Sequence, residues 1–154
     1  MNRLNRKLEY ALMALKHMSE KPDGQLTSTK EVCAVTGCPF DATARVMQVM
    51  ANKGLLKSEQ GVRGGYLIFR NLEGVSFHEL IEMIQGPMDV AKCIKGGEDC
   101  ELLSNCNIRR PLDYLNQKIY NFYNGITLAE VLMASATSTA STKGLNESER
   151  QLNL

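Results

Sequence analysis

Histidine is scarce in this chain of 154 residues: only His17 and His78 occur, and they lie far apart. Neither a nucleophile motif nor a phosphate-binding glycine loop is present. Enzyme active sites generally bring together a general base, a nucleophile or a loop of this kind. These shortages argue against an enzyme, and we expect both histidines to be surface residues rather than ligands.

Long apolar runs are also missing. No stretch approaches the roughly 18 apolar residues of a membrane span, and the first seven residues, MNRLNRK, lead into no secretory apolar segment. We therefore expect a cytoplasmic protein without a membrane partner. In a reducing cytoplasm, five cysteines favour metal or redox chemistry over disulfide bonds.

Net charge is small, at +1, but it is unevenly distributed. Residues 1–70 hold eleven lysines and arginines against six acidic residues, a balance of +5. Residues 71–154 hold seven against eleven, a balance of −4. A basic first half indicates that this half meets phosphates. The alternative is that these charges are scattered over solvated faces.

Hydrophobic periodicity in residues 1–72 predicts three helices followed by a β-hairpin. The first helix ends before Pro22-Asp23-Gly24, the second opens with a capping box at Ser28 and Glu31, and the third begins after Pro39. In the third helix a buried stripe is predicted for Phe40, Thr43, Met47 and Met50. The hairpin runs over 55–59 and 66–69 around a glycine-rich loop. We predict a mostly α fold with a small β-hairpin, in which residues 1–72 form a winged helix-turn-helix DNA-binding domain.

Three cysteines, Cys93, Cys100 and Cys106, fall within fourteen residues, separated by six and five residues. The segment carries paired glycines, which allow the backbone to turn tightly. Soft thiolates at such spacing suit an iron–sulfur cluster or zinc, and unliganded thiols are the third alternative. A cluster normally takes four protein ligands, and the fourth is missing locally. Cys33 and Cys38 are expected to be structural.

A helical segment, with a second capping box at Ser76 and Glu79, precedes the cysteines, and a longer helix follows them. The longer helix carries apolar residues at alternating spacings of four and three: Ile108, Leu112, Leu115, Ile119, Phe122 and Ile126. This heptad seam predicts pairing with a symmetry mate, or else packing on the helix's own domain. We assign residues 73–133 to the cluster loop and dimerisation helix. Residues 134–154, rich in Ala, Ser and Thr, are predicted to form a flexible tail.

In this order, these features resemble the family of bacterial iron–sulfur winged-helix transcription regulators of the IscR, NsrR and RirA type. The resemblance covers residues 1–133. It rests on the stretches EYAL from Glu9, KGLL from Lys53, GVRGGY from Gly61, the cysteine triplet, and ITLAE from Ile126. Each is weak by itself, but their occurrence together and in sequence order is specific.

The resemblance implies a cytoplasmic homodimer that binds palindromic double-stranded operator DNA, typically as a repressor. Its DNA affinity would be set by a [4Fe–4S] or [2Fe–2S] cluster on the three cysteines, which senses iron, redox state or nitric oxide. By likeness to the nitric-oxide sensor, Glu9 of the partner chain would be the fourth ligand. The alternative is that Glu9 is an ordinary exposed glutamate on the first helix. Two features depart from relatives in the family. The gap between the first two cysteines is one residue longer than the five residues of the assembly and nitric-oxide regulators. Arg109 stands where the assembly regulator has a histidine ligand. The alternatives are an iron–sulfur electron carrier and a cluster-free regulator that acts through a partner protein.

The start of the third helix and the glycine-rich loop carry the predicted DNA contacts. Arg45 and Gln48 can hydrogen-bond to guanine and adenine, and Arg63 can enter a narrow minor groove. Ala42 and Ala44 offer only apolar contact. The full predicted set is Phe40, Asp41, Ala42, Ala44, Arg45, Gln48 and Arg63. A solvated helix face is the alternative for Arg45 and Gln48.

Overall fold

The structure, a computed structural model, describes residues 4–91, 93–94 and 100–134. The helices and strands are α1 (Arg6–Ser19), α2 (Thr29–Thr36), α3 (Phe40–Asn52), β1 (Leu56–Glu59), β2 (Gly65–Ile68), α4 (Phe77–Gln85), α5 (Arg109–Asn124) and α6 (Leu128–Met133). Two 3-10 turns, Leu72–Gly74 and Leu103–Asn105, lie between them. The predicted class, mostly α with a small hairpin, is confirmed. The paired glycines at 96–97 and the predicted tail from residue 135 onward lie outside the described residues.

Side-chain caps fix where four of the helices begin. The capping side chains of α1, α2, α4 and α6 each accept a hydrogen bond from the backbone N–H three residues later: Asn5, Ser28, Ser76 and Thr127. At Thr127 the reciprocal bond is also present, from its N–H to Glu130 at 2.7 Å. The capping boxes predicted at Ser28 and Ser76 are only half formed. Their glutamates, Glu31 and Glu79, bind cationic side chains instead.

One hydrophobic core joins α1, α3, α4 and α6. Its largest fully buried side chains are Leu8, Leu15, Met47, Met50, Leu55, Leu56, Leu80, Ile81 and Leu128. Helix α6 reaches this core because backbone hydrogen bonds join its start to the start of α4. The Phe77 N–H donates to the Ile126 carbonyl oxygen at 2.8 Å, and the Leu128 N–H donates to the Val75 carbonyl oxygen at 2.9 Å. Helices α1 and α4 pack against the buried side of α3 and hold this helix in place.

The hairpin is antiparallel, with Leu56 opposite Ile68 and Glu59 opposite Gly65. Thr27 extends it by a bridge to Tyr66, so the chain between α1 and α2 lies beside β2. A Cβ at Gly65 would lie 2.8 Å from the Thr27 carbonyl oxygen, closer than side chains come in folded proteins. Glycine at this position therefore permits the hairpin to pack against the helix-turn-helix.

Helix α5 contains no buried residue, although it has sixteen residues. It contacts α4 through ring pairs, with His78 and Tyr120 centroids 4.4 Å apart and Phe77 and Tyr123 centroids 5.5 Å apart. The residues of the predicted seam divide into two rows. Leu112, Ile119 and Ile126 are half-buried, whereas an outer row at heptad spacing, Ile108, Leu115 and Phe122, is exposed.

Two residues lie in environments that the sequence did not predict. Phe40, predicted to begin the buried stripe of α3, is 49% exposed, and Val46 is buried in that helix. His78, predicted at the surface, is 6% exposed, because the ring of Tyr120 covers it. A first-turn helical position suggests exposure, but α5 packs over this turn of α4.

Candidate nucleic-acid interface and cysteine segment

The outer face of α3 is polar and exposed. Asp41, Arg45, Gln48 and Asn52 follow one another at spacings of four, three and four, so they share one side of the helix. The opposite side carries the buried residues Thr43, Val46, Met47 and Met50. Ala42 and Ala44 are half-buried beside the polar face. The structure thus places the predicted α3 contact residues on or next to one accessible face, with Phe40 exposed at its start.

A groove of about 590 Å³ adjoins this face. Its lining includes Arg45, Gln48 and Asn52 of α3 together with Lys7 of α1 and Ile84 of α4. Lys7 thus adds a second cation to the groove that Arg45 lines. Neither Lys7 nor Ile84 was predicted from the sequence, because no local pattern indicates that the start of α1 and the end of α4 flank α3.

The wing is the loop between β1 and β2. Gly61 has φ +126°, and a Cβ at Gly64 would lie only 2.5 Å from the Glu59 carbonyl oxygen, so both positions favour glycine. Between them Val62 and Arg63 are exposed. The glycines thus hold a short, tight loop that presents the Arg63 guanidinium to solvent.

A charged network ties α2 to the end of α1. Glu31 Oε1 accepts a hydrogen bond from Lys21 Nζ at 2.7 Å and lies 2.9 Å from His17 Nε2. Lys21 also donates to the Leu26 carbonyl at 3.0 Å. The hydrogen bond from Lys21, and secondly that from His17, holds the pKa of Glu31 below its ordinary value. The network fixes the first turn of α2, and therefore the helix-turn-helix, against α1.

A second ion pair lies after β2. The guanidinium of Arg70 contacts both carboxylate oxygens of Glu79 in the first turn of α4, and this carboxylate raises the pKa of Arg70. Because Arg70 lies two residues after the end of β2, the pair anchors the hairpin to α4. The sequence gives no signal for this pair, which joins residues nine positions apart on different elements.

The three clustered cysteines are half-buried free thiols. Cys100 precedes the 3-10 turn, Cys106 directly follows it, and the Val90 N–H donates to Asn116 Oδ1 of α5 at 3.0 Å shortly before Cys93. Within the described residues of one chain, no three cysteine, histidine or acidic side chains come together as a metal site. Residues 95–99, between the first two cysteines, belong to the part not described.

Glu9 lies on α1, partly exposed, with Oε2 3.2 Å from Arg6 Nη1 one turn earlier. It does not join the three cysteines in a metal site within the described part of one chain. Cys38 is buried, with its sulfur 3.5 Å from the Met13 sulfur, and Cys33 is half-buried on α2. These two positions accord with packing inside the helix-turn-helix.

Residues 4–134 match the family model of Rrf2, described as an iron-dependent transcriptional regulator. The chain belongs to the Rrf2 family. The match extends over the winged helix, the cysteine segment and α5. The resemblance inferred from the sequence motifs is thereby confirmed, and the chain is a winged-helix transcription regulator like the other members of Rrf2.

Three relatives of this Rrf2 protein share 20–24% of its residues. A protein of Aquifex aeolicus (strain VF5), named as an HTH-type transcriptional regulator, is 24% identical over 127 residues, covering 81% of this chain and 88% of that protein. Among solved structures, CymR (YrzC), the global cysteine regulator of B. subtilis, has a TM-score of 0.67 at 20% identity, covering 86% of this chain and 97% of that one. IscR of T. potens has a TM-score of 0.58 at 20% identity, covering 88% and 95%. At such identities the structural likeness establishes the fold.

None of the helices in the described part of the chain combines the length and the hydrophobicity that a bilayer span requires.

Proposed function

We propose that this Rrf2 protein is a homodimeric, cytoplasmic transcription regulator that binds double-stranded operator DNA through α3 and the wing. It senses iron, redox state or nitric oxide through an iron–sulfur cluster on Cys93, Cys100 and Cys106. The observation that carries the proposal is the exposed polar face of α3, whose opposite face packs in the core, together with a wing that exposes an arginine. The cluster is proposed to be of the [4Fe–4S] or [2Fe–2S] type.

Each predicted contact residue has a chemical role on DNA. Arg45 donates to guanine and Gln48 pairs with adenine, while the Asp41 carboxylate accepts from the cytosine amino group. Phe40, Ala42 and Ala44 offer apolar contact to thymine methyl groups. Arg63 binds phosphate or enters the minor groove, and the basic balance of residues 1–70 supplies the general attraction.

DNase footprinting on genomic fragments selected by the protein tests the DNA proposal. Arg45→Ala should cost about 1–3 kcal/mol and relax specificity at one base position, whereas Arg63→Ala should reduce the slope of log affinity against log salt by about one. Lys16→Ala is the matched control, since it removes the same charge from α1, where Lys16 pairs with Glu20. If no fragment is protected by the protein with or without iron, the regulator proposal fails and the electron-carrier alternative takes its place.

The donor set fits a cluster in its chemistry. Three free thiols lie in one short segment, and their half-buried state combines access for iron with partial exclusion of water. When bound, the cluster supplies a redox-active and oxidant-labile group. Cys93→Ala, Cys100→Ala and Cys106→Ala should each abolish visible absorption and bound iron, while Cys33→Ala and Cys38→Ala should retain both. A full-strength spectrum in any of the first three variants contradicts the assignment.

For the fourth ligand we propose Glu9 of the second chain. Its carboxylate lies on α1, next to the helix-turn-helix, and an oxygen ligand is harder than thiolate and so is lost more readily from iron. Glu9→Ala should leave a cluster on three thiolates that decays faster in oxygen, and Glu9→Asp should retain part of the stability. Identical decay curves for Glu9→Ala and the unaltered protein would make Glu9 a surface residue that pairs with Arg6.

Two observations favour a second candidate, a cluster-free regulator that acts through a partner protein. The three cysteines do not form a metal site within the described part of a single chain, and one structural relative is named as a global cysteine regulator rather than as an iron regulator. Iron, sulfide and zinc contents of the anaerobically purified protein distinguish these cases. Metal-free protein that still protects DNA supports the second candidate, and stoichiometric zinc supports a structural metal.

A further inference from the structure

Two grooves, of about 530 and 500 Å³, lie on the side of the winged helix formed by α1, α2, β2 and α6, and both are lined by Leu132. The first is mainly apolar, whereas the second also carries charged side chains, among them Lys21 and Arg70. The exposed apolar side chains of the two grooves are called the apolar band. Four large apolar side chains along these grooves are exposed: Met13, Val35, Phe69 and Met133. Three of them, Val35, Phe69 and Met133, are 65–71% exposed. Phe69 and Met133 line the same groove, and Val35 lines the other.

The chain itself leaves the described structure inside this band. Met133, the last residue of α6, lines one groove, and Ala134 lines the other. Twenty residues follow, 135–154. The first ten, SATSTASTKG, contain no large apolar residue, whereas the last ten contain Leu145, Leu152 and Leu154. A polar spacer followed by leucines is the pattern of a tethered binding segment, and Leu145 and Leu152 are seven residues apart, a spacing that shares one face of a helix.

We infer that residues 145–154 dock on the apolar band of their own chain, with residues 135–144 as the tether. Ten residues of flexible polypeptide span about 17 Å on average, which suffices to cross a groove from its edge. Tethering at this length gives an effective concentration of about 1 mM, so an intrinsic Kd of about 0.1 mM keeps the segment bound for most of the time. Burial of three leucines against exposed Val35 and Met133 provides the apolar contact.

Docking in the mainly apolar groove would bring the segment close to the turn that precedes α3. Val35 and Thr36, which line the groove, are the last two residues of α2, and the turn to α3 follows them directly. A segment held against them contacts the end of α2, next to the turn that leads to α3. The inference depends neither on the cluster nor on the identity of the operator, and its failure would leave the proposed function untouched.

Methionine methyl NMR of the full chain is the first test. The triple variant Leu145→Ser, Leu152→Ser and Leu154→Ser should shift the methyl signals of Met13 and Met133, which lie in the band. The signals of Met47 and Met50, fully buried in the core, should stay in place. A matched control, Thr139→Ser, changes the spacer alone and should move none of them. Unchanged Met13 and Met133 signals in the triple variant overturn the inference.

Trypsin cleavage after Arg150 is the second test and uses a site already present in the segment. A segment bound nine-tenths of the time should be cut roughly tenfold more slowly than a free one, because cleavage follows the population of the free form. Val35→Asp places a charge in the groove and should remove this protection, whereas Val62→Asp, on the wing, should keep it. Equal cleavage rates in all three proteins contradict the inference.

Other occupants of the band predict different results. If a second copy supplied the segment, a labelled chain carrying the three serines would regain its Met13 and Met133 shifts on mixing with unlabelled intact chains. If an unrelated partner covered the band, the purified chain would show no shift and no protection. Either result overturns docking of the chain's own segment.

Discussion

The winged helix and the long helix α5 bury their apolar residues in different ways. Each of the four helices in residues 4–86 places side chains in one core, and Leu8, Leu15, Met47 and Leu80 are completely inaccessible. Helix α5 is longer than any of them, yet none of its residues is buried, and Ile108, Leu115 and Phe122 face solvent. The first region is a complete scaffold within one chain. The second, which follows the three cysteines in the sequence, carries an exposed apolar row that the proposed pairing with a second chain would cover.

The largest expected effect lies in the scaffold. Leu15→Ala removes a fully buried side chain between packed helices and should lower the free energy of unfolding by about 2–5 kcal/mol. Leu102→Ala is the matched change in the second region, where the side chain is exposed, and should cost less than about 0.5 kcal/mol. Urea unfolding measures both losses in free energy, provided that the slope of the unfolding free energy against urea concentration is unchanged. Similar losses for the two variants would remove the distinction between the regions.

The outer row of α5 is the next place to test. Leu115→Asp with Phe122→Asp should raise the dissociation constant of the dimer by at least about a hundredfold, because burying unpaired carboxylates costs several kcal/mol. The far-ultraviolet circular dichroism should not change, since neither side chain is part of the core. Gln117→Asp lies on the other side of the helix and is the control. Sedimentation analysis that finds the same association state in all three proteins contradicts pairing through α5.

A smaller, pH-dependent effect belongs to the network at Glu31. Its folded-state pKa is below the ordinary value of 4.5, so the ionised carboxylate stabilises the fold above that pH. This contribution should be lost as the pH falls through the lowered pKa. The carboxylate is partly exposed and screened, so Glu31→Gln should cost at most about 1 kcal/mol at pH 7 and less at pH 3.

Glu20→Gln is the control for this prediction, because it removes an exposed carboxylate at the end of α1 and should change stability by only a few tenths of a kcal/mol. Unfolding free energies of the three proteins at both pH values are required. A difference between Glu31→Gln and the unaltered protein that is the same at pH 3 and pH 7 would show that the carboxylate charge contributes nothing.

The smallest effect is expected at Thr27. Its hydroxyl is completely buried and has no hydrogen-bond partner within the described residues, while its backbone pairs with Tyr66. Thr27→Val keeps the branched shape and removes the unpaired oxygen, and should be neutral or stabilising by up to about 1 kcal/mol. Thermal unfolding measures the change. A clear loss of stability would mean that the hydroxyl is hydrogen-bonded, for example to a buried water.

The sequence predicted the elements whose causes are local. Helix periodicity, the caps at Ser28 and Ser76, and the glycines of the wing depend on residues a few positions apart. The sequence-based prediction was wrong where residues far apart in the sequence determine the surroundings of a side chain. The Tyr120 ring buries His78, and Lys21 and Arg70 draw Glu31 and Glu79 away from their capping boxes.

The candidate site divides in the same way. The exposed face of α3 follows from helical spacing, so the exposure of Arg45 and Gln48 could be predicted from the sequence. The presence of Lys7 and Ile84 in the adjoining groove depends on tertiary packing and could not. The proposed cluster ligands involve two separate segments, and for Glu9 a second chain. No spacing rule within one sequence states which carboxylate completes such a site, and this ligand stays a prediction.

In the proposed function, the cysteine segment controls the DNA affinity of the winged helix. The most direct measurement is the operator affinity of anaerobically purified protein before and after chelation of its iron, at one salt concentration. A coupling of about 1.4 kcal/mol or more predicts at least a tenfold change in the unaltered protein. Cys100→Ala should show no change on chelation, and Cys33→Ala should behave like the unaltered protein. Equal affinities before and after chelation, in a protein that had contained iron and sulfide, would contradict the account.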